Sequence, residues 1–123
     1  MTDPTKLDFV SLQVTNLKKS EEFYTKVLGF ESGQSPNSDA VVFKDVGGAI
    51  FAVRKPLTDL SSVSKVGLGI SLWFAVSNID ELHKQILKSG AKIVDPPSDS
   101  PFGKKIIVSD PDGYQITLHE YQR

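Results

Sequence analysis

The sequence contains no cysteine and only two histidines, His83 and His119, in 123 residues. The absence of cysteine excludes disulfides, thiolate nucleophiles and sulfur-ligated zinc or iron–sulfur sites. Zinc, nickel and iron sites prefer imidazole or thiolate together with carboxylate, and this chain can offer at most two imidazoles. A hard cation held by carboxylates stays open, although no predicted strand carries two inward-facing acids. We therefore predict no metal and no other cofactor.

The sequence also lacks an excess of charge of either sign, because its formal net charge is −1 with acids and bases mixed along the chain. We expect no general attraction for nucleic acid or for an anionic membrane. No apolar run approaches the roughly 20 residues that cross a bilayer. The N-terminal MTDPTKLD has no basic segment followed by an apolar one, so no signal peptide is expected. These absences favour a cytoplasmic protein without nucleic-acid or membrane partners.

What the sequence does contain is typical of one soluble domain, with 39% hydrophobic and 24% charged residues. The first strong element, LDFVSLQV, alternates an aliphatic row with a mixed row, which predicts a strand. We expect the aliphatic row to pack against a helix layer and the mixed row to face something else. The aliphatic row is Val10, Leu12 and Val14, and the mixed row is Phe9, Ser11 and Gln13.

Two segments of the chain follow the same order of signals. In LQVTNLKKSEEFYTKVLGF, Thr15 or Asn16 can cap an amphipathic helix that Gly29 ends, and FAVSNIDELHKQILKSGAKI has Asn78 and Gly90 in matching places. Further short strands follow each helix: around 30–33, AVVFK and AIFAVR in the first copy, and GKKIIVS and YQITLHEY in the second. We predict an α+β fold in which residues 1–123 form one domain. It contains two βαβββ modules, about 7–54 and about 68–121, joined by a connector at about 55–67.

These motifs give the sequence a family resemblance. VTNLKKSEEFYTKVLGF, GISLWFAVSNIDEL and SPFGKKIIVSDPDGYQITLHE, in that order, resemble the vicinal oxygen chelate superfamily. That group contains glyoxalase I, extradiol dioxygenases, and the fosfomycin and bleomycin resistance proteins. The resemblance implies paired modules whose curved mixed sheets surround a cavity. It also implies a homodimer, because single-domain members commonly build their cavities between two chains.

The resemblance also implies positions for metal ligands, and this sequence does not supply them. The first-strand histidine position falls on Phe9 or a near neighbour, and the matching position of the second module is Ser71. The glutamate position four residues after the glycine of DPDG is Thr117, and AIFAVR offers no ligand for the fourth position. Glyoxalase I and dioxygenase activities are therefore disfavoured.

If the family cavity is present, the mixed rows of the strands should line it with aromatic and small polar groups that suit an amphipathic or aromatic organic ligand. The 50–52 stretch would add to the wall from the first module. Each residue also has a structural alternative. Trp73 can be a core residue, Phe9 can fill the cavity, and the polar members can face solvent. Phe102 can either cover a ligand or plug the end of the sheet. The candidate ligand-binding residues are Phe9, Ser11, Gln13, Ser71, Trp73, Phe102, Gln115, Thr117 and His119.

Three functions remain open from the sequence. The first is a metal-free protein of the glyoxalase/bleomycin-resistance type that sequesters a small organic molecule. The second is a metal-independent lyase or isomerase with His119 as general base, for which no orienting acid is evident. The third is a non-catalytic interaction domain with a closed cavity. The sequence favours the first, and so favours a binding protein over an enzyme.

Overall fold

Two mixed β-sheets, each associated with one helix, make up the computed structural model, which describes residues 3–35 and 37–120. The first half contains β1, α1, β2 and β3, and the second contains β4, α2, β5, β6 and β7. Their bounds are β1 Phe9–Gln13, α1 Leu17–Glu22, β2 Ala40–Val42, β3 Ile50–Arg54, β4 Leu72–Val76, α2 Ile79–Ser89, β5 Ile93–Ser98, β6 Lys105–Ser109 and β7 Gln115–Glu120.

The two sheets share one connectivity. The first has the strand order β1-β3-β2 and the second β4-β7-β6-β5. In each sheet the first and last strands of the half are parallel neighbours, and the remaining pairs are antiparallel. The predicted α+β class with mixed sheets is therefore confirmed. The predicted domain also includes residues 1–2, 36 and 121–123, which lie outside the described residues.

Both helical segments begin at the predicted asparagine caps and are followed by the predicted glycines. The side chains of Asn16 and Asn78 each accept a hydrogen bond at 3.0 Å from the backbone N–H three residues later, which is the geometry of a helix N-cap. Gly29 and Gly90 follow the two helical segments with φ of +85° and +75°. Only glycine adopts this left-handed conformation without strain, so it ends a helix at low cost.

Three local predictions need correction. The first helix is regular only to Glu22 and continues as a π-helical turn over Phe23–Val27. The strand predicted around 30–33 is reduced to one bridge, between Ser32 and Phe43. The second half has a further strand, β5, that runs through two prolines to Ser98, and the strands predicted after the second helix do not include it. β5 tolerates the prolines because it is an edge strand, with only β6 as a neighbour.

The core lies between the two sheets and includes both helical segments in one cluster of buried side chains. Val14 is fully buried and Val10 and Leu12 pack against the cluster, which confirms the prediction for the aliphatic row of β1. Aromatic rings join the two halves, because Phe74 of β4 contacts Phe51 of β3 with a distance of 4.9 Å between ring centroids. Further rings of the cluster come from Tyr24, Phe30 and Phe43.

The DPDGY turn between β6 and β7 fastens the second half to the first. The Tyr24 hydroxyl donates to Asp110 Oδ2 at 2.8 Å, and the N–H and hydroxyl of Thr15 donate to Asp112 Oδ1 at 3.0 and 2.7 Å. The Tyr114 hydroxyl donates to the carbonyl of Gln13 at 2.8 Å. Within the described ranges, neither helix is long and apolar enough to span a membrane.

Candidate functional site

The exposed ring of Trp73 is the centre of the candidate site. Its neighbours Leu72 and Phe74 pack against the core, so strand alternation places Trp73 on the outer face of β4, where 41% of the residue is exposed. The indole N–H donates to Ser71 Oγ at 2.8 Å, which fixes the ring plane. Two rings meet Trp73 edge to face: Phe102, with centroids 5.7 Å apart, and His119, at 5.6 Å.

The imidazole of His119 is held in place by the loop that follows β5. Its Nδ1 lies 2.7 Å from the carbonyl oxygen of Phe102. Phe102 therefore contacts His119 through its carbonyl and Trp73 through its ring. Lys105 is the partner of His119 across the sheet. The ammonium group of Lys105 bonds Asp95 Oδ2 at 2.9 Å, which offsets the positive charge on this face. We name Ser71, Trp73, Phe102 and His119 the Trp73 cluster.

Two other predicted residues lie on the strand that supports the Trp73 cluster. Thr117 is only 4% exposed, because it lies in register between Trp73 on β4 and Ile107 on β6. Gln115 lies on the same face of β7, exposed, opposite Ser109. Thr117 therefore forms part of the floor beneath the cluster, and Gln115 lies at the solvent-exposed beginning of the strand.

A cleft of about 600 Å³ is lined by residues of both halves, including the edge strand β4. This volume is in the range of sites for small organic ligands. Ser71 and Trp73 belong to both the cleft and the Trp73 cluster, so the two form one continuous surface. Most of the other lining is apolar: Leu7, Val10, Leu28, Phe30, Phe43, Val46, Ala49, Ile50, Phe51, Leu72, Phe74, Ala75, Val76 and Leu118.

The predicted residues of β1 lie apart from this surface. Phe9 is 49% exposed and Ser11 is exposed, both on the outer face of the first sheet. Gln13 Oε1 accepts hydrogen bonds from the backbone N–H groups of Leu57 and Thr58, at 2.6 and 3.2 Å, so its side chain anchors the connector. Among the described residues, no hydrogen bond or ring contact links these side chains to the Trp73 cluster.

The residues at the family's metal positions do not fit a transition metal. Phe9 has no donor atom, and Ser71 and Thr117 offer only hydroxyls, which are poor ligands beside imidazole and carboxylate. Across residues 3–35 and 37–120, no three histidine, aspartate or glutamate side chains are grouped so that they could hold an ion.

The buried carboxylate of Asp110 has a structural explanation. Burial raises its pKa above the ordinary value of 3.8, and this rise is opposed by hydrogen bonds from the Tyr24 hydroxyl and from the backbone N–H groups of Tyr114 and Asp112. Burial and the neighbouring carboxylate also raise the pKa of Tyr24, so that its phenol stays a donor. Both groups are occupied by the contact between the two halves.

Sequence reasoning missed most of the apolar floor of the cleft. The sequence pattern assigns Val10 to a core-facing row and gives no role to Phe43, Phe74 or residues 46–49, all of which line the cleft. Of the 50–52 stretch, Ile50 and Phe51 line the cleft and Ala52 does not. A floor made of core residues has no signal of its own, because the same pattern predicts ordinary packing.

Comparisons with known proteins agree with this architecture. Residues 6–118 match the model of the Glyoxalase/Bleomycin resistance protein/Dioxygenase superfamily. A lactoylglutathione lyase of Escherichia coli O157:H7 is 30% identical over 118 residues, covering 89% of this chain and 87% of that protein. The chain therefore belongs to the Glyoxalase/Bleomycin resistance protein/Dioxygenase superfamily.

Solved structures show the same fold. TioX from Micromonospora sp. ML1 is 25% identical with a TM-score of 0.69, and the match covers 96% of this chain and all of that one. TnmS3, an antibiotic binding protein from Streptomyces sp. CB03234, has a TM-score of 0.73 over 99% of this chain and all of its own. Its identity is 18%, so the likeness to TnmS3 shows the fold alone.

Proposed function

We propose that this chain is a metal-free binding protein that sequesters a small aromatic or amphipathic organic molecule at the Trp73 cluster. The observation that carries the proposal is a half-exposed tryptophan, held by a hydrogen bond to Ser71, at the rim of a cleft of about 600 Å³. An exposed, oriented indole offers a large apolar contact at low entropic cost. The lining supplies few charges, which suits a neutral ligand.

The proposed complex is a homodimer. The outer faces of both sheets carry exposed aromatic side chains, Phe9 on the first and Trp73 on the second. A second copy that placed its Phe9 face over the Trp73 cluster would enclose a ligand from both sides and bury apolar surface on each chain. This arrangement also gives Phe9 and Ser11 the ligand-facing role expected from the sequence.

Replacement of Trp73 by alanine is expected to weaken the binding of two-ring aromatic probes by at least about fivefold, because stacking on an indole is worth about 1 kcal/mol or more. Isothermal titration calorimetry with 2-naphthol, quinoline and 1,4-naphthoquinone measures this loss. Leu87→Ala is the matched control, since Leu87 is 59% exposed on α2 and does not line the cleft. Absence of binding to wild type, or equal binding by Trp73→Ala, would contradict the proposal.

A second candidate is an enzyme, favoured by the 30% identity to a lactoylglutathione lyase. In this candidate the His119 imidazole acts as general base without a metal, because the family's metal positions hold no suitable ligands. Chromatography that follows the formation of S-lactoylglutathione from glutathione and methylglyoxal detects such activity. If His119→Ala forms this product as fast as wild type, His119 is not the base.

The third candidate, an interaction domain with a closed cavity, has less support. A cleft of about 600 Å³ and a tryptophan that is 41% exposed both argue against a filled, featureless surface. Scattering that gave a dimer, together with calorimetry that gave no binding of any of the three probes, would favour this candidate over the first.

A further inference from the structure

We infer that the ligand of the Trp73 cluster carries a hydrogen-bond donor, a hydroxyl or ring N–H on its aromatic system, and that Nε2 of His119 accepts it. The inference rests on the proposed function, because it concerns the chemical class of the same ligand. It follows from the contact between Nδ1 of His119 and the Phe102 carbonyl oxygen, which determines which imidazole nitrogen carries the proton.

The tautomer of His119 is set by the loop. The carbonyl oxygen of Phe102 can only accept a hydrogen bond, and it lies 2.7 Å from Nδ1 of His119. Nδ1 must therefore carry the proton. A neutral imidazole has one N–H, so Nε2 holds a lone pair and acts as an acceptor.

The accepting nitrogen has no hydrogen-bond partner in the described part of the chain, where the imidazole makes one hydrogen bond, to the Phe102 carbonyl, and one ring contact, with Trp73. His119 is partly exposed, and its ring centroid is 5.6 Å from that of Trp73. The indole N–H of Trp73 already donates a hydrogen bond to Ser71 Oγ. A ligand ring placed against Trp73 therefore meets an unfilled acceptor beside it.

The loop that sets this tautomer is itself braced. Ser100 Oγ accepts from the Phe102 N–H at 3.1 Å and donates to the Gly103 carbonyl at 2.6 Å. Gly103 has a φ of +101°, a backbone conformation that residues other than glycine rarely adopt. The Phe102 carbonyl is thus oriented before any ligand arrives, and preorganised contacts discriminate more strongly than contacts formed on binding.

The ligand class that fits is a neutral phenol or a ring N–H heterocycle such as an indole. An aromatic ether or quinone of the same size presents only acceptors. It would leave Nε2 unsatisfied once water is displaced, which lowers affinity.

The first test reads the tautomer directly. A two-bond ¹H–¹⁵N spectrum of the imidazoles is expected to show Nδ1 of His119 protonated and Nε2 unprotonated at neutral to mildly alkaline pH. Because the chain has two histidines, His83→Gln leaves His119 as the sole source of signals and assigns them. A spectrum with the proton on Nε2 would overturn the inference without any ligand being involved.

The second test compares two probes that differ in the donor. Calorimetry should show that wild type binds 2-naphthol up to about tenfold more tightly than 2-methoxynaphthalene, the worth of one net hydrogen bond. His119→Phe keeps an aromatic ring beside Trp73 but has no acceptor, so it should bind the two probes with about equal affinity. His83→Gln, carrying its change on α2, should keep the wild-type ratio.

The outcomes separate the two claims. If neither probe binds wild type, the proposed function fails. If both bind wild type equally, or if His119→Phe keeps the preference for 2-naphthol, the proposed function stands and the donor requirement fails. If His119→Phe does not fold, the wild-type ratio and the tautomer spectrum still decide the matter.

Discussion

Phe51→Ala is expected to lower the free energy of unfolding by about 4 kcal/mol, the typical cost of truncating a buried phenylalanine. Phe51 is 5% exposed, and its ring centroid lies 4.9 Å from that of Phe74, 5.1 Å from Tyr24 and 5.6 Å from Phe43. Its ring contacts Phe74 of the second sheet, as does the ring of Phe30, whose centroid lies 5.2 Å from that of Phe74. Removal of the Phe51 ring leaves a cavity between the halves of the chain, so the loss includes contacts of both.

Urea unfolding followed by circular dichroism measures this effect without relying on Trp73. The control is Phe9→Ala, which removes the same side chain from a position that is 49% exposed on β1 and is expected to cost less than about 1.5 kcal/mol. Phe51→Leu, which keeps most of the volume, should fall between the two. Equal midpoints for Phe51→Ala and Phe9→Ala would show that the aromatic cluster does not hold the halves together.

Asp110→Ala is expected to destabilise the fold by about 3 kcal/mol, because it strands three donors at once. Asp110 Oδ1 accepts from the N–H groups of Asp112 and Tyr114, both at 2.9 Å, and Oδ2 accepts from the Tyr24 hydroxyl at 2.8 Å. Asp110→Asn can keep the two backbone contacts through its amide oxygen and donate to the Tyr24 oxygen. It should therefore cost about 1 kcal/mol.

The difference in stability between wild type and Asp110→Asn should depend on pH, and the pKa of Asp110 determines the direction of the change. Burial raises the pKa of Asp110 in the folded chain above its ordinary value of 3.8, so the folded state binds the proton more tightly than the unfolded state. The associated stability is fully present below the unfolded pKa and is lost as pH rises through the folded pKa. The free energy of unfolding of wild type, minus that of Asp110→Asn, should therefore grow as pH falls from neutral toward 3.8.

Unfolding midpoints of wild type and Asp110→Asn between neutral and acidic pH measure this difference in stability. The contributions of the other acidic residues are the same in both proteins and cancel. Tyr24→Phe is a useful companion, because it removes one hydrogen bond to the carboxylate that opposes the rise in pKa. When Tyr24→Phe is present, the stability advantage of Asp110 over Asp110→Asn should therefore begin to grow at a higher pH. A difference that shrinks on acidification would mean that the buried carboxylate is stabilised in its charged form.

The fold was largely predictable because its signals are local. Asn16 and Asn78 mark helix starts through their own side chains, and alternation in β1 and β7 assigns faces without knowledge of any partner. The π-helical turn after Glu22 and the continuation of β5 through Pro96 were not predictable. The first depends on where Phe23 and Tyr24 meet the core, and the second on β5 being at an edge.

The candidate site was predictable only in part. Alternation correctly predicts that Ser71 and Trp73 share a face, and Phe102 and His119, which the sequence also indicates as candidates, meet the Trp73 ring. The use of Gln13 as an anchor for the connector had no sequence signal, because it depends on a backbone 44 residues away. The apolar floor of the cleft follows from how the two sheets pack, and single-strand patterns carry no information on that packing.

The prolines of β5 have a consequence for aggregation. The second sheet has two edge strands, and β5 carries Pro96 and Pro97 together with irregular pairing to β6, so it is a poor template for an incoming strand. The other edge, β4, reads LWFAV, with neither proline nor charge. Such a segment favours amyloid-like stacking wherever it is left uncovered. A charged residue at Ala75, which is exposed on this strand, would act as a gatekeeper against fibril growth.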